Sequence, residues 1–184
     1  MPDSYPWYEV VNGDSLEQGD LFIACPVVYP VFNDASNSAL PKPRVEGRHV
    51  DLILLTQTCD LLHDKKIQDL VLCPHWDLQD QLDKGILKQS GMDGVRRGRT
   101  NRLSLLEAYD GENDKKLKMG TRVVDFSRPH SVPLEYLKGI ARSKGNRLRL
   151  RSPYKEHLAQ GFARFFMRVG LPQDIRFSWE DSTQ

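Results

Sequence analysis

The sequence predicts a single α+β domain, a bent antiparallel sheet or partly open barrel packed by a C-terminal amphipathic helix. Three observations carry this expectation. The 184 residues are 39% hydrophobic, which suits one substantial core rather than two independent units. The run Leu52-Ile53-Leu54-Leu55 has the unbroken apolar character of a strand covered on both faces. Near the end of the chain, Tyr154, Leu158, Phe162, Phe165, Phe166 and Val169 recur at helical spacing and make one apolar face.

Each element follows from its own residues. Residues 1–15 hold prolines and aromatics and form an arm rather than a helix, and residues 16–20 supply a turn. Residues 21–32 are rich in β-formers, but Pro26 and Pro30 cannot donate to a ladder, which predicts an edge strand or a bent one. Asn, Ser, Pro, Gly and charge dominate residues 33–49, a loop. A strand over 50–58 is expected to pair antiparallel with one over 67–74, the chain reversing near Asp64. Leu78, Leu82, Ile86 and Leu87 predict an amphipathic helix over 77–89, capped by Asp77 and stopped by Ser90-Gly91. Residues 91–101 are rich in Gly and Arg and predict a second loop. Residues 102–108, 121–126 and 147–151 read as strands, and Leu134, Leu137 and Ile140 mark a helical turn or two over 133–140. The last helix spans 153–169, with Ser152 as its cap and Gly170-Leu171-Pro172 as its stop, leaving 173–184 as a tail.

Composition narrows the function classes. The 26 basic and 25 acidic residues nearly cancel, so no global field draws in nucleic acid or an anionic membrane. Attraction for a polyanion must come from local clustering. Cys25, Cys59 and Cys73 are odd in number, and no basic segment followed by an apolar run opens the chain. A reducing, cytoplasmic setting is the expectation. No apolar run approaches the ~18 residues that a membrane-crossing helix requires, so no membrane partner is expected.

Three groups of residues carry chemistry. Cys59, His63, Cys73 and His75 are ligand types that zinc prefers. In a plain hairpin, however, Cys59 faces about residue 69 and Cys73 about residue 55, which separates the two sulfurs by roughly 13 Å along the strands. No metal and no other cofactor is therefore expected. Cys59, with Asp60 and His63 beside it, is a candidate catalytic nucleophile, because a thiolate needs a base or a cation to form at neutral pH. The adjacent Asp60 opposes ionisation unless it orients the histidine, and Thr56, Thr58 and Asp60 can equally tie down the strand-to-turn transition. The third group is cationic: Arg96, Arg97, Arg99 and Arg102 in the second loop, and Arg147, Arg149 and Arg151 on one face of the last strand. Placed side by side, loop and strand would form a stripe able to contact several phosphates, with Arg164 and Arg168 extending it along the helix.

The order Gln18-Gly19-Asp20 at a strand start, a long loop, then Thr56-Gln57-Thr58-Cys59-Asp60 at a strand end resembles a group of bacterial proteins with a Gly-Asp start and a Ser/Thr-Gln-x-Cys-Asp strand end. The segment 152–172 looks like the C-terminal helix of the same group. That likeness implies a shared fold and assigns no activity. The first part also resembles the SH3-like barrel of MazF- and PemK-type toxins, which are ribonucleases. Their arginine next to a proline has its nearest match in Pro43-Arg44, six residues before Val50, and their partner threonine has no clear counterpart.

Together these features point to a non-catalytic cytoplasmic binding or accessory module associated with RNA or DNA. A protein encoded nearby is the other expected partner, and the setting expected is a bacterial toxin, phage-defence or mobile-element system. The alternatives are a MazF/PemK-like ribonuclease that works without metal, and a Cys59/Asp60 hydrolase or zinc protein.

Overall fold

A computed structural model describes residues 5–32, 43–61, 67–97 and 99–167. Eight strands are described: β1 (Tyr8–Val11), β2 (Leu21–Phe32), β3 (Pro43–Leu54), β4 (Asp69–Asp77), β5 (Leu103–Leu106), β6 (Arg122–Asp125), β7 (His130–Pro133) and β8 (Arg147–Leu150). Five α-helices accompany them, α1 (Thr58–Leu61), α2 (Leu78–Asp83), α3 (Gln89–Arg96), α4 (Leu134–Lys144) and α5 (Tyr154–Phe166), together with a 3-10 turn at Lys115–Leu117. The main sheet runs β2-β3-β4-β6-β5, with β7 pairing the first half of β4 while β6 pairs its second half. Every pairing is antiparallel, and β1 and β8 form a separate two-stranded ribbon. The fold is α+β, and the sheet is not closed into a barrel: β2 and β5 remain its edges.

The apolar run of β3 explains how the layers stack. Leu52 and Leu54 enter one core with Leu70, Leu72, Leu137 and Ala141, so α4 covers that face. Ile53 and Leu55 point the other way and join Cys73, Phe126, Leu150 and Leu158, so the β1–β8 ribbon and α5 cover the opposite face. A strand buried on both sides needs no polar alternation, as the sequence anticipated. The hairpin also forms, with Leu52 opposite Pro74, Ile53 opposite Cys73 and Leu54 opposite Leu72. Its reversal, and with it His63, lies outside the described residues.

Several boundaries differ from expectation for physical reasons. The loop predicted over 33–49 gives way to strand at Pro43, because residues 43–48 pair with β2, and residues 44–48 are themselves exposed, so polar residues fit there as well as apolar ones. Residues 55–58 leave the ladder, and Thr58–Leu61 turn helical. Gly85, at φ 66°, ends α2 early, and part of the predicted second loop is α3, held by buried Val95. Ser152 does not cap α5: its hydroxyl donates to Glu156 at 2.6 Å, and Pro153 occupies the cap position. The N-terminal arm contributes β1.

One ionic cluster joins the ribbon to the main sheet. Asp20, fully buried, bridges to Arg149 through an isolated strand contact and accepts hydrogen bonds from both Arg147 and Arg149. Arg147 Nε reaches Asp20 Oδ2 at 3.0 Å, and Arg149 Nη2 reaches the same oxygen at 3.0 Å. The remaining guanidinium donors go to the carbonyls of Gly13 (2.8 Å) and Ser15 (2.6 and 2.8 Å) and to Glu17 (2.8 Å). Gly19, at φ 92°, lets the chain pass close enough for this: a Cβ there would come within 2.9 Å of the Leu150 Cβ. Removing one member of a buried charge cluster strands the others, so Asp20→Ala should lower stability by about 3–5 kcal/mol in chemical denaturation. Melting unchanged from wild type would refute the coupling of ribbon and sheet through this carboxylate.

Candidate nucleic-acid interface

The predicted arginine stripe is not assembled. Arg147 and Arg149 do share a face of β8, but residues 13–20 lie over that face and Asp20 occupies both guanidinium groups. Arg102 is also committed, forking onto Asp125 with Nε to Oδ1 at 3.0 Å and Nη2 to Oδ2 at 2.6 Å. Burial works against the Asp125 carboxylate, yet the Arg102 fork and two bonds from Ser127 hold it below the usual range. Alternation identified the shared face of β8 but not the segment that covers it. Arg96, Arg97, Arg99 and Arg151 remain exposed, Arg97 in a loose 3.8 Å pair with Asp93.

The exposed arginines gain a setting from the tertiary structure. Arg96, in the last turn of α3, and Arg164, on α5, line one cleft of about 560 Å³ with Trp7, His157 and Phe126. Thr100, Asn101 and Ser104 add polar groups, and Glu107 adds one negative charge. Neither Arg96 nor Arg164 makes an ion pair among the described residues. The Trp7 ring stacks on Tyr154 with centroids 3.8 Å apart and an 11° interplanar angle, which fixes the indole at the cleft wall. The sequence shows an aromatic cluster at Tyr5-Pro6-Trp7-Tyr8, but no local pattern brings it to α5; the β1–β8 pairing does. Trp7 and His157 therefore went unpredicted.

The three thiols sit in different surroundings. Cys73 and Cys25 are fully buried, and burial pushes their thiols up to about 12 and about 11, which keeps both protonated. Cys59 is exposed on α1, where its only hydrogen bond among the described residues goes to Gln57 Oε1 at 3.6 Å. Asp60 is half-buried in the same turn. No group of three or more potential metal ligands forms among the described residues. The two halves of the strand-end likeness do meet: the Gln18 amide N–H donates to Thr58 Oγ1 at 3.2 Å, and Gln18 Nε2 donates to the Leu55 carbonyl at 2.7 Å. Thr56 Oγ1 accepts from the Val71 amide at 2.8 Å. These contacts tie the strand end down by side chain to backbone bonds.

A second buried polar cluster has no signature in the sequence. Arg122, on β6, donates Nε to His75 Nδ1 at 3.0 Å and Nη2 to Asp51 Oδ2. His75 is fully buried, and burial, followed by the nearby Arg122 charge, pushes its pKa down to about 3. Its Nδ1 therefore accepts, and the proton sits on Nε2, where the Leu52 backbone acts weakly against the downward shift although no hydrogen bond of ordinary geometry forms. Comparison of the chain with protein-family models, with curated proteins and with solved structures finds no match.

The His75 environment sets a pH dependence. A histidine whose folded pKa lies below its unfolded value stabilises the protein fully above about pH 6.5, and that contribution is lost as pH falls, with a limiting slope of ~1.4 kcal/mol per unit. His130, half-buried and also lowered by burial, acts in the same window. Denaturation between pH 7 and 4 should therefore show a falling stability that flattens by about one proton in His75→Gln. An unchanged slope in that variant would contradict the neutral, buried imidazole.

Proposed function

We propose that this protein is a non-catalytic module that binds single-stranded RNA or DNA, with the cleft between α3, β5 and α5 as its contact surface. The observation that carries the reading is the convergence of Arg96, Arg164 and the braced indole of Trp7 on one cleft. Single-strand binding combines cations that track the phosphates with an aromatic face for a base, and both are present here. Thr100, Asn101 and Ser104 offer donors and acceptors to a base edge. Arg97 and Arg99 extend the positive charge beyond the cleft, where they add a salt-sensitive contribution. A cytoplasmic bacterial defence or toxin setting, and a nearby-encoded protein partner, belong to the same reading.

A second reading draws on Glu107 and His157 in the same cleft. An acid and a base beside two arginines could cleave RNA without metal, the 2′-hydroxyl attacking the phosphorus and the 5′-oxygen leaving with a proton. This is the activity that the likeness to SH3-like toxins implies.

Fluorescence anisotropy with labelled single-stranded RNA and DNA tests the binding reading. Arg96→Ala/Arg164→Ala should weaken binding and shrink the salt slope by about 0.7 for each phosphate no longer neutralised, with stability within about 0.5 kcal/mol of wild type. Binding that the double variant leaves intact would move the interface elsewhere. Shortening of the RNA but not the DNA in chelator would favour the ribonuclease instead.

A further inference from the structure

A different cleft, of about 540 Å³, lies where β2, β3, β6 and the approach to β8 meet. Its volume falls in the range of small-molecule sites. Arg122 forms part of its lining although the residue is only 9% exposed. The guanidinium is held on two sides. Neutral His75 accepts from Nε without cancelling the charge, while Asp51 takes Nη2. Nη1 makes no hydrogen bond among the described residues, and the residue that carries it lines the cleft. A buried arginine with one free end is a built anion receptor, since its fork geometry is set before any ligand arrives.

The backbone around Asp51 is organised in the same sense. The β2–β3 register shifts between Phe22 and Cys25, and within that bulge Ala24 adopts φ 48°. An L-residue in the left-handed region costs ~1–2 kcal/mol, and such strain gathers at functional sites. The displaced Ala24 N–H leaves the ladder and donates to Asp51 Oδ1 at 2.8 Å. Asp51 thus has both oxygens occupied and faces Arg122 in a fixed orientation.

The rim is cationic. Lys116, Lys118 and Lys144 line the cleft, and none makes an ion pair among the described residues. Against them stands Asp77, whose Oδ1 caps α2 and whose Oδ2 lies beside Gly120. Asp51 is already matched by Arg122, and Arg147 by Asp20. The surplus of lysine charge, with the free guanidinium end, calls for an anion of more than one charge. Ile23, Leu117 and Met119 supply an apolar wall beside it.

We propose that this cleft is a second ligand site, one that takes the phosphate group of a small molecule of nucleotide size. The phosphate sits on Arg122 Nη1 and the lysines, and the organic part lies against Ile23, Leu117 and Met119. The site is separate from the arginine cleft and does not depend on the nucleic-acid reading. Full-length protein titrated calorimetrically with adenosine monophosphate and with inorganic pyrophosphate, and with adenosine as the uncharged comparison, tests it. Both phosphates should bind saturably and adenosine should not. Lys118→Ala/Lys144→Ala, both surface changes that leave the fold intact, should weaken binding at least about tenfold, the loss expected for charge-assisted contacts. Arg96→Ala/Arg164→Ala should bind adenosine monophosphate like wild type. Absence of saturable binding at millimolar phosphate would overturn the proposal. Binding abolished in the Arg96/Arg164 variant but kept in the lysine variant would do the same, by placing the ligand in the other cleft.

Discussion

The carboxylate of Asp20 organises the architecture around it. Two guanidinium groups from β8 converge on it from a distance of more than a hundred residues in sequence, and the carbonyls of Gly13 and Ser15 absorb their remaining donors. A buried charge is tolerated only when it is paired and hydrogen-bonded. Here each member satisfies the others, so the cluster has one arrangement. That arrangement places β8 beside the start of β2, and with β8 come β1 and the Trp7 indole at the next layer.

The same cluster explains why the Gly-Asp step opens β2. Gly19 accepts from the Leu150 amide and donates to the Leu54 carbonyl, so its backbone is sandwiched between β8 and β3 with no room for a side chain. Gln18 then reaches Leu55 and Thr58, which locks the polar end of β3 to the same turn. Thr56 and Thr58, which look like part of a site in sequence, serve as joinery through their bonds to backbone amides. Among the described residues, the Cys59 thiol of the same segment is exposed and its one hydrogen bond, to Gln57 Oε1, is long at 3.6 Å.

Charge divides into spent and available portions. Arg102, Arg147 and Arg149 neutralise Asp125 and Asp20 and hold strands together. Arg122 is half-spent, anchored by Asp51 and a neutral histidine with one end left over. Arg96, Arg164 and the lysines at 116, 118 and 144 have no such duty among the described residues. A near-neutral chain can therefore present two clefts whose lining holds more basic than acidic residues, because Asp20 and Asp125 are consumed inside the fold while Glu107, Asp51 and Asp77 offset only part of the cleft charge.

Much of the scaffold was legible in the sequence. The apolar run of β3, the prolines that confine β2 to an edge, the β3–β4 hairpin and the amphipathic α5 all follow from local composition and period, since side chains repeating at 2.0 or 3.6 residues declare which face is buried. What local pattern could not supply was pairing between distant segments. The burial of Arg147 and Arg149 depends on residues 13–20 lying over them, the indole reaches its cleft only through the β1–β8 ribbon, and the Arg122–His75–Asp51 cluster draws on three separate strands. Such contacts are decided by which surfaces fit once the whole chain has condensed, and no window of neighbouring residues contains that information.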